Sequence, residues 1–169
     1  MTKTLFVFEG TVEVDYGQAW VVGAEAQPPA YISEAFVGQS NGMLGAAVPG
    51  FLLLMTSRSS GDVPIRVAID SEEPLLDDEW EECVEATFIP QGPTVTLRHF
   101  WAEQFVVEIP LQHEPYRVRY CGRNMEASWD MHPFEHPTDS YLLSFWQALP
   151  AADRIVRSRT TSGLASHRW

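Results

Sequence analysis

Apolar and polar residues alternate with a period of two along most of this chain, and that period restricts it to strands. Val12, Val14 and Tyr16 alternate with Thr11, Glu13 and Asp15, and Ile65, Val67 and Ile69 alternate with Arg66, Ala68 and Asp70. Tyr116, Val118 and Tyr120 repeat the pattern against Arg117, Arg119 and Cys121, as do Val95, Leu97 and His99, and then Phe105, Val107 and Ile109. Successive side chains of a strand point to opposite faces, so each stretch offers one face to a core and one to solvent. Residues 51–55 and 141–146 are nearly continuous apolar runs, the pattern of central strands covered on both faces. Pro28-Pro29, Asn41-Gly42, Pro49-Gly50, Ser60-Gly61-Asp62 and Cys121-Gly122 supply turns between them. Helical periodicity is confined to short pieces at 31–36 and 124–129. The expectation is an all-β fold, an antiparallel β-sandwich or flattened barrel with little helix. Val14, Phe51, Leu53, Val67, Leu97, Val107, Val118 and Leu143 are its expected core.

Length bounds the organisation. At 169 residues the chain has the size of one domain with a sizeable core. Its 45% hydrophobic and 12% aromatic content separates it from disordered acidic chains, which lack aromatics. No repeat or low-complexity linker divides it, so residues 1–150 are read as a single sandwich domain. Residues 151–169, with Arg154, Arg157, Arg159 and Arg168, are read as a peripheral Arg-bearing segment that frays at its end. The N-terminal apolar run is too short for a signal peptide, and Gln39, Ser40, Asn41 and Pro49-Gly50 break the uncharged stretch 37–57, so neither export nor a membrane span is expected. Cys83 and Cys121 stand alone, without the spacing of a disulfide framework or a zinc site, which fits a reducing cytoplasm.

The net charge of −12 is unevenly placed. Residues 1–110 hold 17 acids against 4 bases, and residues 111–169 hold 6 against 7. Nine acids fall within residues 70–85, with no Lys or Arg between Arg66 and Arg98. Burying unpaired carboxylates costs far more than it returns, so this run is expected to project into water. Such a field repels nucleic acid and anionic membranes and attracts basic proteins. Trp80 inside the run has two readings: an interface anchor ringed by acids, or an anchor holding the loop to the sandwich beside Leu75 and Leu76. The first makes Asp77, Asp78, Glu79, Trp80, Glu81 and Glu82 a partner-binding set.

Other motifs carry less chemistry. His132-Pro-Phe-Glu-His136 has the H-x-x-E-H spacing of zinc proteases, but Pro133 and Pro137 oppose the helix that would put both histidines on one face. The pairs Glu72 with Glu73 and Asp77 with Asp78 lack the alternation and central glycine of a calcium loop. No G-x-S-x-G elbow, P-loop or dinucleotide fingerprint occurs, and Lys3 is the only lysine. No catalytic residue, metal or cofactor is assigned. A competing reading places a small ligand or carbohydrate in a mouth lined by Trp20, Trp101, Trp129 and Trp146.

With the strands laid out, the order of features resembles the small competence protein J-like family of DNA-entry nuclease inhibitors. The similar stretches are Val12-Glu-Val-Asp-Tyr-Gly-Gln-Ala-Trp20, Asn41-Gly-Met-Leu-Gly-Ala-Ala47 leading into residues 51–55, Pro115-Tyr-Arg-Val-Arg-Tyr120 and Asp139-Ser-Tyr-Leu-Leu143. This chain has Glu114-Pro115 where the family has a glycine-acid pair, and it is longer. The resemblance implies a cytoplasmic, non-catalytic protein that neutralises a basic nuclease; it carries no binding residues with it.

Overall fold

The computed structural model describes residues 1–100, 104–128, 132, 135–161 and 167. Among the described residues, eleven strands form two sheets packed face to face. The six-stranded sheet contains β1 (Thr4–Val14), β5 (Gly61–Asp70), β6 (Glu82–Phe88), β9 (Tyr116–Arg123), β10 (Ser140–Gln147) and β11 (Arg154–Ser158), in the order β1-β5-β10-β9-β6-β11. The five-stranded sheet, in the order β3-β4-β2-β7-β8, contains β2 (Gln18–Gly23), β3 (Leu44–Gly45), β4 (Phe51–Met55), β7 (Val95–Arg98) and β8 (Phe105–Glu108). Each sheet keeps two edges, so the fold is a sandwich and not a closed barrel. Pairing is antiparallel except between β10 and β5, which run parallel with Tyr141 opposite Ile65 and Phe145 opposite Ile69.

Alternation explains the core. Val63, Ile65 and Val67 of β5, Val84, Ala86 and Phe88 of β6, Tyr116, Val118 and Tyr120 of β9, and Tyr141, Leu143 and Phe145 of β10 all point inward from the six-stranded sheet. They meet Ala19, Val21, Leu52, Leu54, Val95 and Leu97 from the other sheet. Tyr120 and Tyr141 stack 5.4 Å apart, and their hydroxyls are satisfied by the Met55 carbonyl at 2.9 Å and the Asp139 carboxylate at 2.8 Å, so neither phenol is buried without a partner.

Phe51 and Leu53 are buried as expected, on the outer face of the five-stranded sheet with Val22, Ala35 and Phe36, under a 3-10 helix over Ile32–Phe36, so β4 is covered on both faces. Other expectations are corrected here. Val107 is half-buried on β8, at the sheet's edge. Tyr16 is exposed, because the alternation stops at Val14 and Tyr16 turns with φ 52 ahead of Gly17. The second expected helical piece is a single turn, α1, over Met125–Ser128. Trp20 and Trp146 cannot share a mouth. Trp20 packs edge-on to Phe51 on the outer face of the five-stranded sheet, whereas Trp146 lies under Arg119 on the outer face of the six-stranded one. Trp101 and Trp129 lie outside the described residues. Among the described residues no helix is long and apolar enough to cross a membrane.

Candidate functional site

The acidic run divides at Glu82. Residues 71–81 are a loop laid over the outer face of the six-stranded sheet, while Glu82–Phe88 is β6, inside that sheet between β9 and β11. Asp77, Asp78 and Glu79 are exposed and Glu81 is half-buried, but Trp80 is only 2% exposed and Glu82 is 0% exposed. The expectation that the whole run projects into water therefore fails for Asp70, Trp80, Glu82 and Glu85. Its premise concerned unpaired charges, and Glu82 and Glu85 both have partners.

Glu85 shows how. It faces outward from β6, and Arg117 and Arg119 of β9 and Arg154 of β11 reach it at 3.4, 2.9 and 3.0 Å. Burial by itself pushes the Glu85 carboxyl up; hydrogen bonds from Arg154 and Arg119 and their charges outweigh that and hold it below the ordinary glutamate range. Glu82 is satisfied differently. Burial again pushes up, but His167, the Ser158 hydroxyl at 2.7 Å and the backbone N–H groups of Arg159 and Thr160 at 2.6 and 2.9 Å bring its carboxyl below the usual value. The donors Ser158, Arg159 and Thr160 belong to β11 and the residues after it, while His167 Nε2 stands 3.6 Å from the carboxylate, beyond hydrogen-bond reach. Residues 154–160, part of the segment read as peripheral, lie at the sheet's margin yet are tied in by pairing with β6 and by these bonds.

Trp80 anchors the loop. It packs on Cys83 and Cys121, with Leu76, Leu142 and Val156 around it. The guanidinium groups of Arg66 and Arg123 stand over its ring at 5.8 and 5.2 Å, and both also bind Glu79. Arg119 donates to the Pro74 carbonyl at 2.7 Å, and Arg157 donates to the carbonyls of Asp77 and Trp80 at 2.9 Å each. The loop is thus pinned by main chain as well as by charge. Leu75 does not join Leu76 beneath it, being 98% exposed.

Cys83 and Cys121 are directly opposite on β6 and β9, both buried as free thiols. A hydrogen bond with Cys83, then burial, pushes the Cys121 thiol far up, so it is not a nucleophile at neutral pH. Among the described residues no group of three or more His, Cys, Asp or Glu side chains is placed to share a metal ion. His132 and His136 are exposed, and the His132 carbonyl accepts from Arg58; Pro133 and Phe134 between them lie outside the described residues. The alternation of Arg117, Arg119 and Arg123 on one strand face leads to the expectation that exposed arginines pair with the acidic run, and they do pair, Arg117 and Arg119 with Glu85 and Arg123 with Glu79, although Arg117 and Arg119 are buried and not exposed. Sequence reasoning missed Arg154 of β11, the third partner of Glu85, which lies far along the chain from it.

No protein-family model and no curated protein sequence matches the chain. Among solved structures it is similar to ComJ from Bacillus subtilis, described as an inhibitor of the DNA-degrading activity of NucA, with a TM-score of 0.58 and 16% identity over 88% of this chain and 99% of that one. It is also similar to the protein described as crocagin biosynthetic gene J, with a TM-score of 0.56 and 12% identity over 88% and 99% of the two chains. At these identities the shared feature is the sandwich fold.

Proposed function

We propose that this chain is a non-catalytic inhibitor that binds a basic protein, a nuclease in the first instance, through the acidic loop on the outer face of its six-stranded sheet. The observation that carries the reading is the pinned loop itself. Glu72, Glu73, Asp77, Asp78 and Glu79 are exposed on a backbone held by Arg119 and Arg157 and by the buried Trp80. A preorganised surface loses little conformational freedom on binding, so its charge is not offset by ordering cost. A nuclease cleft is built to hold phosphates and is therefore cationic, and fixed carboxylates can occupy it. The likeness in fold to a NucA inhibitor supports the same direction. Trp80 and Glu82 drop out of the contact set because both are buried, and the surface reading rests on Asp77, Asp78, Glu79 and Glu81.

The test is functional. Basic proteins retained on the immobilised chain at low salt and released by salt are assayed for DNA degradation with and without added chain. Suppression of a released DNase activity at stoichiometric chain is the expected result. If no released fraction degrades DNA, or if the activity ignores the added chain, the reading is wrong.

A further inference from the structure

A hollow of about 220 Å³ lies between the acidic loop and the β1 margin of the six-stranded sheet, with Thr4, Phe6, Asp70, Leu75, Asp77 and Glu79 among its walls. Three observations give it a chemical character. The first is Asp70, at 5% exposure: Oδ1 accepts from the Thr4 hydroxyl at 2.5 Å, but Oδ2 is buried with no hydrogen-bond partner. Buried carboxylate oxygens are normally satisfied, so an unfilled one marks a place where a donor belongs. Burial pushes the Asp70 carboxyl up, as expected of a group short of donors.

The second is the balance of charge. Asp70, Asp77 and Glu79 face two cations, Arg66 and Arg119, and both cations are already engaged. Arg119 binds Glu85, Glu73 and the Pro74 carbonyl, and Arg66 binds Glu79 and stands over the rings of Phe6 and Trp80. The third is the apolar content of the walls: Phe6 is 52% exposed and Leu75 98% exposed, and both line the hollow. Its volume is below the roughly 300–1,000 Å³ of small-molecule sites. At about 30 Å³ per water it holds on the order of seven waters, the scale of one long side chain.

We propose that this hollow is a socket for one lysine or arginine side chain of a protein partner. Phe6 and Leu75 cover the aliphatic stem, and the cationic head supplies the missing donor at Asp70 between the carboxylates of Asp77 and Glu79. The identity of the occupant as a protein side chain rests on the inhibitor reading above, but the chemistry of the socket does not.

The experiment follows backbone amides by NMR while the intact chain is titrated with butylammonium, with butylguanidinium, and with butanol as the neutral control. The expected result is saturable shifts at Phe6, Asp70 and Leu75 with both cations and none with butanol. Binding should weaken about 10-fold or more in Asp70→Asn, the loss associated with one charge-assisted hydrogen bond. Leu75→Ala, at an exposed position, should weaken it while leaving the fold intact, and it carries the test if Asp70→Asn does not fold. Absence of saturable cation shifts, equal response to butanol, or binding unchanged in the folded variants overturns the socket. The two readings separate cleanly. Nuclease suppression that survives Asp70→Asn and Leu75→Ala removes the socket and keeps the acidic surface. Cation binding without any nuclease suppression keeps a socket for free amines and removes the protein occupant.

Discussion

Both sheets have a covered outer face, and the two covers are built from opposite chemistry. On the five-stranded sheet, Trp20, Val22, Phe51 and Leu53 meet Ala35 and Phe36 of a 3-10 helix, an apolar cluster needing no ionic partner. On the six-stranded sheet, arginines on β9 hold Glu85 and the carbonyls of the loop above, and a small apolar cluster around Trp80 fills only the centre. The first cover can be built from any side chains of suitable size. The second fails unless particular charges from distant segments arrive together, since one missing partner leaves a buried ion exposed to its own desolvation cost.

The comparison breaks most visibly at Glu85. Glu85→Ala leaves the buried Arg117 without its carboxylate and Arg119 with only the exposed Glu73, and should cost about 3–5 kcal/mol in equilibrium urea unfolding. A loss below about 1 kcal/mol, the level of a surface pair, would show that solvent already screens the network. Trp80→Ala should cost a similar amount, about 3–5 kcal/mol, because it removes a buried indole and the ring under two arginines. That outcome separates the structural anchor from an interface anchor, whose removal would leave unfolding unchanged and speed dissociation from the partner instead.

On the apolar face, Leu53→Ala should cost about 2–5 kcal/mol, with a cavity as the cause. The two faces should then diverge with pH. Glu82 and Glu85 have folded-state values held below the ordinary 4.5, so their contribution is fully present above that value and is lost as pH falls through the depressed ones. Asp70, with its value raised, works in the opposite sense and offsets part of the loss. Unfolding followed down that window should show wild type and Leu53→Ala losing stability in parallel, whereas Glu85→Ala should lose less because its titrating group is gone. A Glu85→Ala profile parallel to wild type would remove Glu85 from the acid response.

The smallest stability effect belongs to the loop surface. Asp77→Asn with Asp78→Asn should change unfolding by no more than about 0.5 kcal/mol. Association with a basic partner should nevertheless slow by about 10-fold or more at low salt, and the difference from wild type should shrink as the Debye length falls to about 8 Å at physiological ionic strength. Stopped-flow binding across a salt series reads both.

Where alternation was carried by aliphatic and aromatic residues, the strands were legible in sequence. β4 and β10 coincide with the apolar runs 51–55 and 141–146, and β5, β7 and β9 follow their alternating residues. β6 and β11 were hidden because composition masked pattern. Val84, Ala86 and Phe88 alternate as core residues should, but Glu82 and Glu85 among them read as solvent-facing until their partners are known. The rule that buried charge is costly was sound; its exception is written in Arg117, Arg119 and Arg154, which no local window contains. Of the six residues assigned to the partner-binding set, Asp77, Asp78 and Glu79 are exposed, whereas Trp80 and Glu82 belong to the interior for that same reason. The parallel pairing of β5 with β10 was equally out of reach, since register between strands over seventy residues apart leaves no local trace.

That parallel pair has a consequence for how the chain is made. β1 and β5 leave the ribosome long before β10, which must slot beside β5 with β9 already alongside it, and β11 with its arginines comes last. Until then the emerging chain carries 17 acids and 4 bases through residue 110, with Glu82 and Glu85 still in water. Closing such distant pairings is entropically slow, so folding of this sandwich waits on the emergence of β10 and β11. During that interval the acid-rich N-terminal two thirds repels its own copies, and its charge serves to keep nascent chains apart.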